Sequence, residues 1–402
     1  MTTALRNYFV VTGGYWAFTL TDGAIRMLVV LYFHLLGYSP FEVAMLFLFY
    51  EFFGIVTNLV GGWMATRLGL NVTMHLGMAM QVVALTMLTV PDSWLSVVYV
   101  MLAQALSGIA KDLNKMSAKA SVKSITKEGD ANLFKWAAIL TGSKNTLKGV
   151  GFFLGAFLMQ VIGFRSALMV LAIALLVVLF ITMLLLPKDI GKTKTKPKFK
   201  EIFSKTPAIN WLSAARFFLF GSRDVWFVVA LPVFLYEVLH WDFMKIGGFM
   251  ATWVIGYGIV QASSPAVLRG HHPQGKTALI LALVLAFIPA GIALALGQDW
   301  NPAWVVTLGL MLFGVVFAIN SAVHSYLILA YSDKEKVSMN VGFYYMANAG
   351  GRLMGTVLSG AVYQSYGLTG CLWVSTAFIA AAALLSMNLS EAYQGDDLKE
   401  EM

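Results

Sequence analysis

Long apolar runs separated by short polar connections make up most of this chain. Roughly 20 apolar residues in a helix cross the ~30 Å of a bilayer's hydrocarbon, and runs of that length recur twelve times. The first six are expected near Tyr8–Leu36, Phe41–Thr66, Thr73–Val90, Trp94–Met116, Asn132–Val161 and Arg165–Leu186. The second six are expected near Ala208–Leu239, Phe243–Leu268, Thr277–Leu296, Pro302–Tyr331, Ser338–Tyr366 and Thr369–Asn388. The polar connections alternate in charge. One set carries Arg67; Lys119, Lys123 and Lys127; the tract Lys188–Lys205; Arg269 and Lys276; and Lys334 and Lys336, whereas the other offers only Arg165 and Lys245. Basic loops stay in the cytoplasm, so both termini are expected there, in a multi-pass membrane protein.

The segment PKDIGKTKTKPKFKEIFSKTP (Pro187–Pro207) is too polar to pack a core and divides the runs six and six. The expected organisation is an N-terminal bundle over 1–187, a basic cytoplasmic linker over 188–207, a C-terminal bundle over 208–390 and a cytoplasmic tail over 391–402. The linker lysines suit anionic lipid headgroups. The halves look alike: TDGAIRMLVVLYFHLLGYSPFE (Thr21–Glu42) and RDVWFVVALPVFLYEVLHWDF (Arg223–Phe243) each begin at an intramembrane Asp and run to an aromatic-rich end.

Composition agrees with a membrane protein, at 59% hydrophobic and 12% charged residues, against about 25% charged in soluble domains. No cleavable signal peptide is read at the N-terminus. The formal charge of +8 follows the loops and does not point to nucleic acid. The lone Cys371 excludes an intrachain disulfide or a multi-thiolate metal site; no cofactor or metal is expected.

What changes the picture is a set of basic residues inside the runs: Arg26, Lys111, Lys115, Lys135, Lys144, Lys148, Arg216, Arg223 and Arg352. A Lys or Arg at a helix centre costs about 2.5–3.5 kcal/mol on insertion scales unless it faces a watery interior. At about 1.5 Å per residue, Asp22, Arg26, Lys144 and Arg352 fall near mid-depth. Asp22 and Arg26 share a helix face at i,i+4 spacing and can partner each other. Lys111, Lys115, Lys119 and Lys123 form a stripe toward the cytoplasmic mouth, where Lys119, Lys123 and Lys135 are read as snorkelling to headgroups. Arg223 can neutralise Asp224 or partner Asp22. Acidic groups at depth are fewer, namely Asp22, Glu51, Asp112 and Asp224, and serve charge balance or proton coupling. His324, beside Asn320, is a further titratable candidate. The substrate-binding set is therefore Arg26, Lys111, Lys144, Arg352, Lys115, Lys148 and Arg223, with Asp22, Glu51, Asp224 and His324 for coupling or balance.

Two six-helix halves around a linker resemble the major facilitator transporters, whose substrate sits near the midplane. GGWMATRLGLN (Gly61–Asn71) is similar to that superfamily's loop between helices two and three at Gly62, Arg67 and Gly69, although Thr66 replaces the usual Asp. In that layout helices one, four, seven and ten line the cavity, with two, five, eight and eleven beside them. The nine basic residues fall on helices one, four, five, seven and eleven.

The run YWAFTLTDGAIRMLVVLYFHLLGYSPFEVAMLFLFYEFFGIVTNLVGGW (Tyr15–Trp63), with SGIAKDLNKMSAKASVK (Ser107–Lys123), resembles the organoarsenical efflux permeases of bacterial arsenic-resistance operons. The resemblance implies a monomeric, all-α carrier working by alternating access. It implies export of 1-arseno-3-phosphoglycerate, made by a partner glyceraldehyde-3-phosphate dehydrogenase, and hence arsenate resistance. Arg26 and Arg352 would clamp one oxyanion end, Lys111 and Lys144 the other. The same charges would serve a carrier of another organic phosphate or sugar phosphate. A multidrug exporter would favour acidic cavity residues, and an arsenite pump would need clustered thiolates. No paired His and carboxylate suggests a membrane enzyme, and no signalling domain suggests a receptor. On this reading Lys144→Ala or Arg352→Ala abolishes arsenate resistance while membrane insertion is retained; wild-type resistance in both variants would refute the assignment.

Overall fold

A computed structural model describes residues 3–68, 70–123, 132–186, 206–268, 273–298, 300–331 and 337–400. The linker 188–207 is thereby outside the described residues apart from 206–207, as are residue 69 and residues 269–272 of the inter-helix loops. The side chains of Arg67, Lys119, Lys123, Lys135 and the C-terminal tail also lie outside the description.

The described residues are helical, without strands. The helices are α1 (Thr3–Leu35), α2 (Pro40–Met45), α3 (Leu48–Leu68), α4 (Leu70–Met87), α5 (Val97–Lys123), α6 (Asn132–Leu185), α7 (Pro207–Phe227), α8 (Ala230–Glu237), α9 (Phe243–Val267), α10 (Gly275–Leu296), α11 (Pro302–Ala330) and α12 (Val337–Glu400). By length and composition, eight helical stretches among the described residues can cross a membrane, where the apolar runs predict twelve. Part of the difference has physical causes. Two stretches, Ser143–Leu185 and Gly342–Leu389, are long because neighbouring helices join at one glycine. Helix α5 carries Lys111, Asp112, Asn114 and Lys115 in its second half, which makes it polar.

Those joints fold the chain back on itself. Gly163 has φ 74°, ψ 174°, and Gly367 has φ 60°, ψ −163°, conformations that glycine alone adopts cheaply. Before Gly163, α6 climbs alongside α1: Trp16 donates to Ser143 at 2.9 Å, and Gly23 and Ala24 lie against Gly151 and Gly155. Beyond it the order reverses, with Phe164 stacked on Tyr32 at 3.9 Å and Thr182 beside Gly14. Helix α12 repeats this on α7. Arg216 meets Asn348, Gly221 meets Gly351 and Gly355, and Val229 meets Ser359. After Gly367, the Cys371 thiol returns to the Ser359 carbonyl at 3.7 Å, and Phe378 lies against Gly221.

Two runs expected as single helices are divided. The seventh breaks at Val228–Val229, between α7 and α8. Pro232 lacks a donor and its ring crowds the carbonyl four residues back, that of Val228. The freed Val229 and Ala230 amides both donate to the Ser359 hydroxyl, at 3.2 and 3.0 Å, so the break is satisfied internally. The second run breaks at Leu46–Phe47, between α2 and α3.

The chain forms two compact units. Unit 1 comprises Met1–Leu36, Phe49–Phe199 and Asp242–Ile255; unit 2 comprises Gly37–Leu48, Lys200–Trp241 and Gly256–Met402. In unit 1, α4 seals the ends of α1 and α6 through Met74 and Met78 against Tyr15, Phe18, Leu175 and Leu179. In unit 2, Ile209, Leu212, Val323, Leu327, Tyr344 and Leu389 form one cluster.

Small residues set the approach of paired helices, as lipid supplies no hydrophobic drive between them. A Cβ at Gly351 would lie 1.9 Å from the Phe217 carbonyl oxygen, whereas one at Gly256 meets nothing within 4 Å. Gly351→Ala is expected to cost about 1–3 kcal/mol, as overpacking does, and to lower the thermal midpoint in detergent. Gly256→Ala should leave it unchanged or raise it. Equal midpoints for the two variants would contradict the seam.

Candidate functional site

In unit 1, glycines bring four charged helices together. Gly23 adjoins Asp22 on α1, and its partner Gly151 on α6 lies three residues from Lys148. On α5, Gly108 lies three residues before Lys111, and a Cβ there would sit 2.4 Å from the Tyr50 carbonyl of α3. The sequence therefore packs its charges beside its closest crossings.

Tyr50 is the hub. Its hydroxyl donates to Asp22 Oδ1 at 2.6 Å. Its ring takes the Lys111 ammonium at 4.0 Å and the Arg26 guanidinium at 4.9 Å, cation–π contacts worth about 0.5–2 kcal/mol each. The next residue, Glu51, is wholly buried and accepts from Arg26 at 2.7 Å. Asp22 is also held by Lys148 at 3.4 Å. Asp22 and Arg26, adjacent on one helix face, thus each take a partner from another helix. Deeper along α5, Asp112 bonds Lys115 at 2.6 Å and accepts from Asn58 at 3.3 Å, while Lys115 also donates to Asn58 at 2.5 Å. Lys144 is half-buried one turn before Lys148.

Lys111 stands apart. Among the described residues no carboxylate lies within ion-pair distance of it, and its short contact is the Tyr50 ring. Within unit 1, five buried or half-buried cations (Arg26, Lys111, Lys115, Lys144, Lys148) face three such carboxylates (Asp22, Glu51, Asp112); other described charges of the unit are exposed. Two positive charges are left over.

Unit 2 has the same excess from a different arrangement. Asp224 is fully buried and binds two arginines, its neighbour Arg223 and, at 2.9 Å, Arg352 of α12. Of the two partners weighed for Arg223, Asp22 and Asp224, it is Asp224 that the structure pairs with it. Arg223 also lies 5.0 Å from the Phe220 ring centroid. The third arginine, Arg216, is 4% exposed and bonds only neutral groups among the described residues, namely Asn348, the Ser321 carbonyl and the Ser321 hydroxyl. His324 and Asn320 are buried on the same turn of α11 as Ser321.

The structure thus gathers Asp22, Arg26, Glu51, Lys111 and Lys148 around one tyrosine, and Arg223 and Arg352 around one aspartate. Two residues escaped the sequence-based set. Tyr50 reads as one packing aromatic among many; its only signal is adjacency to a mid-helix Glu. Arg216 is among the intramembrane cations but outside the expected binding set, and only its contacts distinguish it from Arg223.

Removing one partner of a buried ion pair costs about 3–5 kcal/mol, and replacing both with apolar groups far less. Glu51→Gln alone should therefore lower the thermal midpoint more than Arg26→Met combined with Glu51→Leu. A double variant as unstable as the sum of its single changes would refute the pairing.

A family model described as the Major Facilitator Superfamily matches residues 11–324. A comparison with curated protein sequences returned no match. Three solved structures are similar in fold. A POT family transporter in complex with 5-aminolevulinic acid aligns at TM-score 0.76 and 14% identity, covering 96% of each chain. A structure concerning substrate recognition in proton-dependent oligopeptide transporters aligns at 0.72 and 16%, covering 97% of this chain and 99% of that one. A POT family transporter with a thioalcohol-conjugated peptide aligns at 0.77 and 13%, covering 96% of each. At such identities the likeness is one of fold.

Proposed function

Because the chain belongs to the Major Facilitator Superfamily, we propose that it carries a small, multiply charged oxyanion across the membrane, and that this cargo is 1-arseno-3-phosphoglycerate, exported to give arsenate resistance. The observation that supports this most is the excess of buried positive charge among the described residues: two charges in each unit, with no carboxylate within ion-pair distance of Lys111. Charge without a counter-ion is costly in a low-dielectric interior, so an anion is the missing partner. The arsenate and phosphate ends of the proposed cargo are each divalent or nearly so, which matches the size of the excess.

In this reading Lys111 meets an oxyanion directly, and Tyr50 holds the ammonium in place without neutralising it. Lys148 faces Asp22 at 3.4 Å, a longer contact than the 2.6–2.9 Å ion pairs of Arg26, Lys115 and Arg352, and is the second cation proposed to meet the cargo. Arg26, Lys115, Arg223 and Arg352 hold tighter bonds to Glu51, Asp112 and Asp224 and set the positive field around the cargo. Lys144 extends that field along α6. Asp22, Glu51, Asp224 and His324 remain the groups proposed for proton coupling or charge balance. We place the protein in a bacterial inner membrane as a monomer with twelve crossings and both termini inside. The tight folds at Gly163 and Gly367, and the separate helices on either side of them, support that count. The dehydrogenase that makes the arseno-ester is the proposed functional partner. A carrier of another small organic phosphate or sugar phosphate would use the same residues and is the second reading.

In arsenate-sensitive cells co-expressing such a dehydrogenase, the wild-type chain should restore growth in arsenate. Lys111→Gln should lose at least about tenfold in export rate, the worth of one charge-assisted contact, with membrane insertion retained. Full resistance in Lys111→Gln would overturn the role of Lys111. Failure of the wild-type chain to protect, with organic-phosphate transport intact, would move the cargo to the second reading.

A further inference from the structure

Unit 2 contains a group of polar side chains to which the proposal above assigns no contact with the cargo. Arg216 lies at its centre. Its Nε donates to Asn348 Oδ1 at 2.9 Å, and its Nη1 reaches the Ser321 carbonyl at 3.3 Å and hydroxyl at 3.2 Å. The guanidinium stacks on Phe220 at 3.8 Å and stands 5.1 Å from the Tyr344 ring. The Tyr257 hydroxyl and the Gln261 amide also approach the Ser321 hydroxyl, at 3.1 and 3.4 Å. Three donor-bearing side chains thus converge on one oxygen that offers two lone pairs.

Two independent observations indicate that the group is built for an occupant. First, Arg216 is a buried charge with no carboxylate among the described residues, although Asp224 lies only two turns further along α7 and takes two other arginines instead. Second, the adjoining turn of α11 holds buried polar atoms without hydrogen-bond partners: both side-chain atoms of Asn320, which is 0% exposed, and Nδ1 of His324, which is 1% exposed and within electrostatic reach of Arg216. Buried polar atoms of native proteins are nearly always bonded.

We propose that Arg216, with Ser321, Asn348, Tyr257 and Gln261, forms a seat for a single oxyanion, a phosphate or a carboxylate, within unit 2. The planar guanidinium offers the bidentate fork that such groups accept best. The neutral side chains around it can each give a hydrogen bond without adding a competing negative charge. The occupant's identity rests on the reading of this protein as an oxyanion carrier; the seat itself does not.

The test is anion-induced thermal stabilisation of the purified full chain in neutral detergent, using inorganic phosphate and, separately, acetate as probes. Wild type should be stabilised saturably by at least one of them, and which one assigns the seat to phosphate or carboxylate. Arg216→Gln should weaken that apparent affinity at least about tenfold, and Arg216→Lys should weaken it less, keeping charge but losing the fork. Lys111→Gln should retain the Arg216-dependent response, which separates this seat from the site in unit 1. If Arg216→Gln fails to insert, Arg216→Lys decides: undiminished affinity overturns the seat. A structural tether would lower the midpoint without anion and leave the anion-induced shift intact, which also overturns it, as does a wild-type chain that responds to neither probe.

Discussion

A cation held in hydrocarbon must be matched by a negative charge or by water, and the described buried residues supply too few carboxylates for their cations. That imbalance governs the rest of the structure. Each unit has a buried aspartate shared between donors: Asp22 takes Tyr50 and Lys148, and Asp224 takes Arg223 and Arg352. Among the described residues the buried carboxylates pair with other cations, and the short contacts of Lys111 and Arg216 are to an aromatic ring and to neutral oxygens respectively. Aromatic faces and amides tolerate a cation without cancelling it. A field of one sign therefore survives burial, as recognition of an anion requires.

The same construction appears twice. In each unit a first helix carries an aspartate near a glycine, and a later helix runs parallel to it through a glycine seam, bringing a cation to that aspartate. A single glycine then folds the chain back, at Gly163 or Gly367. Close backbone approach is what allows a lysine or arginine on one helix to reach a carboxylate on another. Bulk at these seams would separate the charges as well as the helices.

The apolar run lengths made the all-helical, membrane-spanning character legible, because membrane depth fixes how long a run must be, but not the number of crossings. The broken seventh helix was legible too in hindsight, since Pro232 removes a donor and crowds Val228; the break at Leu46–Phe47 carries no comparable residue. The candidate site was half legible. Intramembrane cations announce themselves by their cost, but pairing does not follow from spacing. Asp22 and Arg26 sit on one helix face, yet Lys148 and Glu51 reach them from other helices, because side chains at a crossing meet more directly than those one turn apart. Tyr50 and Arg216 were hidden for the complementary reason. Their importance lies in what surrounds them, and no local pattern distinguishes a hub tyrosine from the other aromatic residues.

The fold is shared with peptide carriers at 13–16% identity, so charge decides what fold cannot. Counterflow in proteoliposomes measures this most directly, with radiolabelled 3-phosphoglycerate, a stable analogue of the proposed cargo, set against a labelled zwitterionic dipeptide. The imbalance of buried charge predicts saturable exchange of 3-phosphoglycerate and none of the dipeptide. Exchange of the dipeptide without 3-phosphoglycerate would contradict it.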